Sequence, residues 1–212
     1  MRPAYILYLI ELAVTIRATD CSLCPISLLM ASIVGHCVLG ATLGKLLLPE
    51  RRYWPYWLLA AACAFLPDAD VVGFKLHVAY GSMWGHRGLS HSLLAAVVVA
   101  TAAVLLVGGR TSAPPRGRLW LLLFLATASH GILDALTTGG LGVAFFSPFD
   151  AERHFFGFRP IAVSPIGVKN FLGEWGARVL RSELKWVVLP CALVLLGQAA
   201  VRRGVRAAWP SS

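Results

Sequence analysis

Apolar residues run almost unbroken over 28–48, 53–66, 89–107, 119–136 and 186–201, with polar and turn-forming residues confined to the gaps. Runs of this length read as helices, and a helix needs about 20 residues to cross the hydrocarbon core of a bilayer. The first, third and fourth are long enough to span. The second and fifth are short and rely on flanking residues, tilt or local thinning. Pro67 closes the second run, because the residue before a proline is pushed out of the helical region. Gly108, Gly109, Pro114 and Pro115 mark a turn-rich connector over 110–118. The expected fold class is all-α: a polytopic membrane helical bundle of about five helices, with a long extramembrane loop between the fourth and fifth.

That loop, over 137–185, mixes Gly, Pro, aromatics and both charge signs, with some helix expected near 171–184. Loops of such length are binding elements, lids or disordered segments, and the aromatic content argues against disorder. Residues 1–29 fit a short anchoring helix, part of a signal-like segment, or an extension upstream of a start at Met30. They are expected to be dispensable. The organisation is thus an N-terminal extension over 1–29, a membrane-embedded domain over 30–150, and a loop with a C-terminal membrane helix over 151–212.

Composition agrees with a membrane setting: 58% of the residues are hydrophobic, only 14% are charged, and the mean hydropathy is +0.71. The net charge of +9 raises nucleic acid as a partner, but no nucleic-acid motif accompanies it. Its sources are short clusters between apolar runs. If the helices alternate, Lys45, Arg51 and Arg52, then Arg110, Arg116 and Arg118, then Arg202, Arg203 and Arg206 all fall on one side. Such an excess marks the cytoplasmic face of a multi-pass inner (plasma) membrane protein in contact with membrane lipid. Of the five cysteines, only Cys21 and Cys24 form a C-x-x-C pair, and no second pair completes a zinc ribbon. Cys37, Cys63 and Cys191 read as small packing residues.

The candidate chemistry lies in three phrases at the ends of apolar runs: Pro67-Asp68-Ala69-Asp70, His86-Arg87-Gly88-Leu89-Ser90-His91, and His130-Gly131-Ile132-Leu133-Asp134. The alternation that gathers the basic clusters sets all three, and His36, on the opposite, non-cytoplasmic side. Imidazole nitrogen and carboxylate oxygen suit a divalent ion, zinc first, with manganese or iron also served. His130 and Asp134 are one helical turn apart and can share an ion, or they form a buried histidine–aspartate hydrogen bond. Asp68 and Asp70 either reach inward as ligand and second carboxylate or cap a helix. Gly85 and Gly88 allow a turn between His86 and His91, and Ser90 can cap the helix that His91 opens. Arg87 suits an anionic substrate, a lipid headgroup or a neighbouring carboxylate. Alone, His36 would read as a satisfied core histidine, and His77 and His154 lack a carboxylate at ligand spacing. No G-x-S-x-G, P-loop, G-x-G-x-x-G or H-E-x-x-H phrase is present. Water activated by a metal, with Asp70 or His91 moving the proton, is then the economical chemistry.

The ordered set Gly35-His36, Leu66-Pro67-Asp68-Ala69-Asp70, His86-Arg87-Gly88-Leu89-Ser90-His91-Ser92 and His130-x-x-x-Asp134-x-x-Thr137-x-x-Gly140 resembles the YdjM-type family of bacterial inner-membrane proteins described as metal-dependent hydrolases. Ser90 stands where that family's phrase often has Thr, which keeps the hydroxyl. The resemblance implies a divalent metal site formed by His36, Asp68, His86, His91, His130 and Asp134. A more distant similarity is to zinc-dependent phospholipase C, but this chain has no obvious H-x-x-x-E phrase after Asp134. The expected function is hydrolysis of an ester or phosphoester bond in a small-molecule or lipid substrate. The rivals are a non-catalytic metal-binding or transport protein, which the apolar inner halves of the helices disfavour for transport, and a scaffold with a structural His/Asp cluster.

Overall fold

Small residues decide how the first two helices meet. Helix α1 (Ile33–Leu47) turns Gly40 and Gly44 toward α2 (Trp54–Phe65). A Cβ on Gly40 would lie 2.7 Å from the Ala60 carbonyl oxygen, and one on Gly44 2.7 Å from Trp57 Cα. Without those side chains the two backbones touch, the packing that small residues allow between helices in lipid. A 3-10 turn at Arg51–Tyr53 links the pair, and the Trp57 indole donates to the Leu48 carbonyl at 2.8 Å, satisfying an acceptor at the end of α1. The protein is described by a computed structural model over residues 29–30, 32–165 and 172–208. Cys21 and Cys24, and residues 1–28 in general, lie outside the described residues.

Pro67 does not stop the second helical body. Leu66 keeps helical angles (φ −53°, ψ −38°), and the chain tightens into a 3-10 turn over Leu66–Val71 before α3 (Val72–Lys75). A proline in the first turn of a new helical segment has no needed N–H to lose, so it breaks the α ladder without ending the helix. Helix α4 (Leu93–Val107) begins later than the apolar run, because Leu89–His91 form a 3-10 turn and Ser92 is the cap, its Oγ accepting from the Ala95 amide at 3.1 Å. Ser90, expected to cap this helix, instead faces the candidate centre described below. Helix α5 (Arg116–Ala135) follows, and α6 (Glu174–Glu183), a π turn (Leu184–Val188) and α7 (Leu189–Ala208) run on as one body.

The described residues thus form five helical bodies, all-α apart from a two-residue pair between β1 (Leu29–Met30) and β2 (Ser164–Pro165). The fourth run forms a 20-residue helix as expected, but the lengths of the other four reverse the expectation. The bodies Arg51–Lys75 and Glu174–Val205 are long and apolar enough to cross a membrane, whereas α1 and α4 have 15 residues each, or about 22 Å. The first and third runs give up their leading residues to a strand pair and a 3-10 turn, while the second and fifth recruit polar flanks into the helix.

Helix α5 is the centre of the bundle, touching α1, α2 and α4. Leu119, Leu122, Leu123 and Ala126 on α5 are buried against Tyr56, Ala60, Cys63 and Ala64 of α2 and Ala100 of α4. A second cluster, Leu133, Ile161, Val187 and Cys191, seats the last helical body and the long loop on α5. That loop folds back through bridges between Thr137 and Ile161 and between Val143 and His154. The first cluster packs the N-terminal half of α5 and the second packs the end that carries His130 and Asp134.

Candidate metal centre

Three segments deliver the donors. The 3-10 turn after α2 carries Asp68, the 3-10 turn before α4 carries His91, and α5 carries His130 and Asp134 on one face. One ligand atom from each lies within 4.8 Å of the other three. His130 Nε2 is 3.2 Å from Asp68 Oδ1 and 3.7 Å from Asp134 Oδ2, while His91 Nε2 is 3.6 Å and 3.5 Å from the same two oxygens. Four donors in a tetrahedron around zinc, at bonds near 2.0–2.1 Å, stand about 3.3 Å apart.

Hydrogen bonds outside the centre decide which nitrogen faces inward. His130 Nδ1 donates to the Ala64 carbonyl at 2.7 Å. Ser90 Oγ donates to Asp70 Oδ2 at 2.5 Å, so His91 Nδ1 meets only acceptors, Ser90 Oγ at 2.9 Å and Asp70 Oδ2 at 3.2 Å, and carries the proton. With both protons held outside, the two Nε2 lone pairs face each other across 3.0 Å. They repel unless a proton or a cation lies between them. A proton would serve that contact and Asp68 Oδ1 beside it, but would leave Asp68 Oδ2 and both His36 ring nitrogens buried without hydrogen-bond partners, each a loss of about 1–3 kcal/mol. A divalent cation accepts lone pairs from the whole group. His36 is within reach of such a cation: its ring stacks on His130 at 3.8 Å, and its Nε2 is 3.7 Å from Asp134 Oδ1.

Asp70 sits one layer out, its Oδ1 on His86 Nδ1 at 2.6 Å and its Oδ2 on His91, so it orients two imidazoles. His86 belongs to this neighbouring Asp70–His86–His91 group, and its Nε2 is buried without a hydrogen-bond partner. Arg87 is fully buried, and of its three expected partners it takes the carboxylate: Nε is 3.0 Å from Asp134 Oδ2, Nη1 donates to the Gly139 carbonyl at 2.8 Å, and Nη2 to Thr137 Oγ1 at 3.3 Å. To reach inward its backbone takes the left-handed region, φ 62°. Its guanidinium offsets part of the charge of three gathered carboxylates.

These donors sit in a chain whose sequence pattern over residues 30–210 matches the YdjM inner membrane protein family. The chain belongs to that family. It is 38% identical over 178 residues to the inner membrane protein YbcI of Escherichia coli (strain K12), covering 82% of this chain and 99% of that protein. No solved structure matches.

In this YdjM-family protein the structure brings Asp68, His91, His130 and Asp134 into one group, with His36 against it and Asp70 and His86 behind it. His77 stands apart on an exposed turn, and His154 lies half-buried beside the exposed acids Asp150 and Glu152. Two contributors escaped the sequence reading. Arg153 donates to the carbonyls of His86, Tyr80 and Ser82 at 3.0–3.1 Å, pinning the long loop over the turn that carries His86. Tyr80 stacks on His86 with ring centres 5.5 Å apart. Burial pushes the Tyr80 phenol up, against the pull of Arg87, and it lowers the Arg153 guanidinium, against the pull of Tyr80 and Asp70. Neither residue lies in a motif; an arginine in an aromatic loop was the sole local signal.

Proposed function

We propose that this YdjM-family protein is a multi-pass inner-membrane hydrolase that holds a divalent cation, zinc by its donor set, and cleaves an ester or phosphoester bond in a small or lipid-derived substrate. The observation that carries the metal is the convergence of the His91 and His130 Nε2 atoms, 3.0 Å apart between two buried carboxylates. Asp68, His91, His130 and Asp134 would hold the ion, with His36 as a further donor. When bound, such a cation supplies Lewis acidity, drawing the pKa of a water toward neutrality and polarising the bond under attack. Asp70 or His91 would move the released proton, and Asp70 is the one carboxylate of the three whose side chain keeps some exposure, 9%. Hydrolase chemistry itself rests on the family resemblance.

The membrane reading draws on surface polarity that is inverted relative to a soluble protein. Leu105 and Leu106 of α4 are 80% and 81% exposed, and Leu193 and Leu196 of α7 are 59% and 66% exposed. Lys45, Arg52, Arg110, Arg202 and Arg203 line two cavities at the bundle end away from the centre. A cytoplasmic address for that end supports a centre on the non-cytoplasmic side.

One observation favours a second reading, a closed site in which the cation only holds the fold: all five candidate donors are at most 4% exposed. Elemental analysis of purified protein tests the metal, with equal content in wild type and a His130→Ala/Asp134→Ala double variant sinking the assignment. Chelation then separates the readings. A hydrolase loses turnover of phosphodiester and lipid esters while staying folded, and a structural site unfolds.

A further inference from the structure

Glu183 is the acid least expected where it stands, fully buried at the junction of α6 and the π turn. Its carboxylate reaches across to the start of α1. Oε1 accepts from the Ser32 amide at 2.6 Å, Oε2 accepts from the Ser32 hydroxyl, and the carboxylate lies against the first turn of α1 at Gly35. Ser32 is the N-cap of α1 and Gly35 is the third residue of the helix, yet the Ser32 side chain makes no capping bond of its own.

In a capping box the N-cap side chain serves the third residue's N–H, and an acidic side chain at that third position serves the N-cap's N–H. Here Gly35 has no side chain, and the Ser32 hydroxyl is turned outward as a donor. Glu183 supplies the half of the box that serves the N-cap amide, and it engages the N-cap hydroxyl as well, from a helix 151 residues away in sequence. Gly35 is what makes room: a Cβ there would lie 3.1 Å from the Glu183 carboxyl carbon and Oε1. A carboxylate at a helix N-terminus also faces the positive end of the helix dipole.

The next residue is His36. Unlike His91 and His130, it has no hydrogen bond on either ring nitrogen to orient it, so the placement of α1 and the stacking on His130 decide where its Nε2 points. We propose that Glu183 is a positioning residue for the candidate metal centre, a remote half of the α1 cap that sets His36 against Asp134 and His130. The inference rests on the metal reading above. A π turn begins one residue later, a feature found often at functional sites.

The test is a double-mutant cycle on the full-length protein in detergent, with zinc affinity read by chelator competition and the ligand field by cobalt absorption. Glu183→Ala is expected to weaken zinc binding about 10-fold or more, the scale of losing an outer-layer partner. In a His36→Ala background the same change should weaken it no further. Glu183→Gln, which keeps the shape, should show a smaller loss, and helical circular dichroism reports whether each variant is folded. An equal loss in both backgrounds, or an unchanged cobalt spectrum in folded Glu183→Ala, overturns the role of Glu183 and leaves the metal centre standing. A wild type without bound zinc overturns both.

Discussion

A histidine is a metal donor only if the right nitrogen faces the ion, and at His91 and His130 that choice is made by the Asp70 and Ser90 oxygens and the Ala64 carbonyl. Asp70→Asn is therefore expected to weaken zinc binding by about 10–100-fold without removing a donor of the four-residue group, measured by chelator competition. Arg87 makes a different prediction. Replacing it by Met leaves the buried Asp134 carboxylate without its ion-pair partner at 3.0 Å, a change expected to destabilise the protein by about 3–5 kcal/mol in denaturant unfolding. Added zinc should recover part of that loss, because the cation takes over the neutralising charge. The donor residues were legible in the sequence as His and Asp at the ends of apolar runs. The division between His91, inside the group, and His86, behind Asp70, was not legible, because it depends on which way the turn at Arg87 rotates each ring.

At the scale of elements, the centre stays together because α1, α2 and α5 approach closely enough to bring His36, Asp68 and His130 into contact. Gly44→Leu would drive a side chain into Trp57, whose Cα lies 2.7 Å from where a Cβ would begin. The expected outcome is a loss of about 1–3 kcal/mol by thermal or denaturant unfolding, together with weaker zinc binding as α1 and α2 separate. The apolar runs predicted these helices but misjudged their ends. Helix limits follow from caps and turns, as at Ser92 and the Leu66–Val71 turn, and hydropathy does not register hydrogen bonds of that kind.

The whole molecule separates two chemistries along its length, cations and open cavities at one end, buried carboxylates and imidazoles at the other. If the cationic end faces the cytoplasm, a cysteine placed at Phe149, 87% exposed on the loop at the centre's end, should react in intact spheroplasts with a membrane-impermeant maleimide. One at Ser112, between α4 and α5, should react only after permeabilisation. Both belong in a background lacking the native cysteines, and the opposite pattern would reverse the orientation.

What residues carry individually was readable in advance: the apolar runs, the basic clusters and the metal-friendly donors, since hydropathy, charge and ligand chemistry belong to side chains wherever they stand. Family membership followed from the order of those phrases. Pairings were decided only by the fold, because they join residues far apart in the chain: His130 to the Ala64 carbonyl, Arg87 to Asp134, Arg153 to the His86 turn and Glu183 to the first turn of α1. A hydrogen bond or ion pair forms at about 3 Å or does not form, and only the assembled bundle brings those partners within that distance.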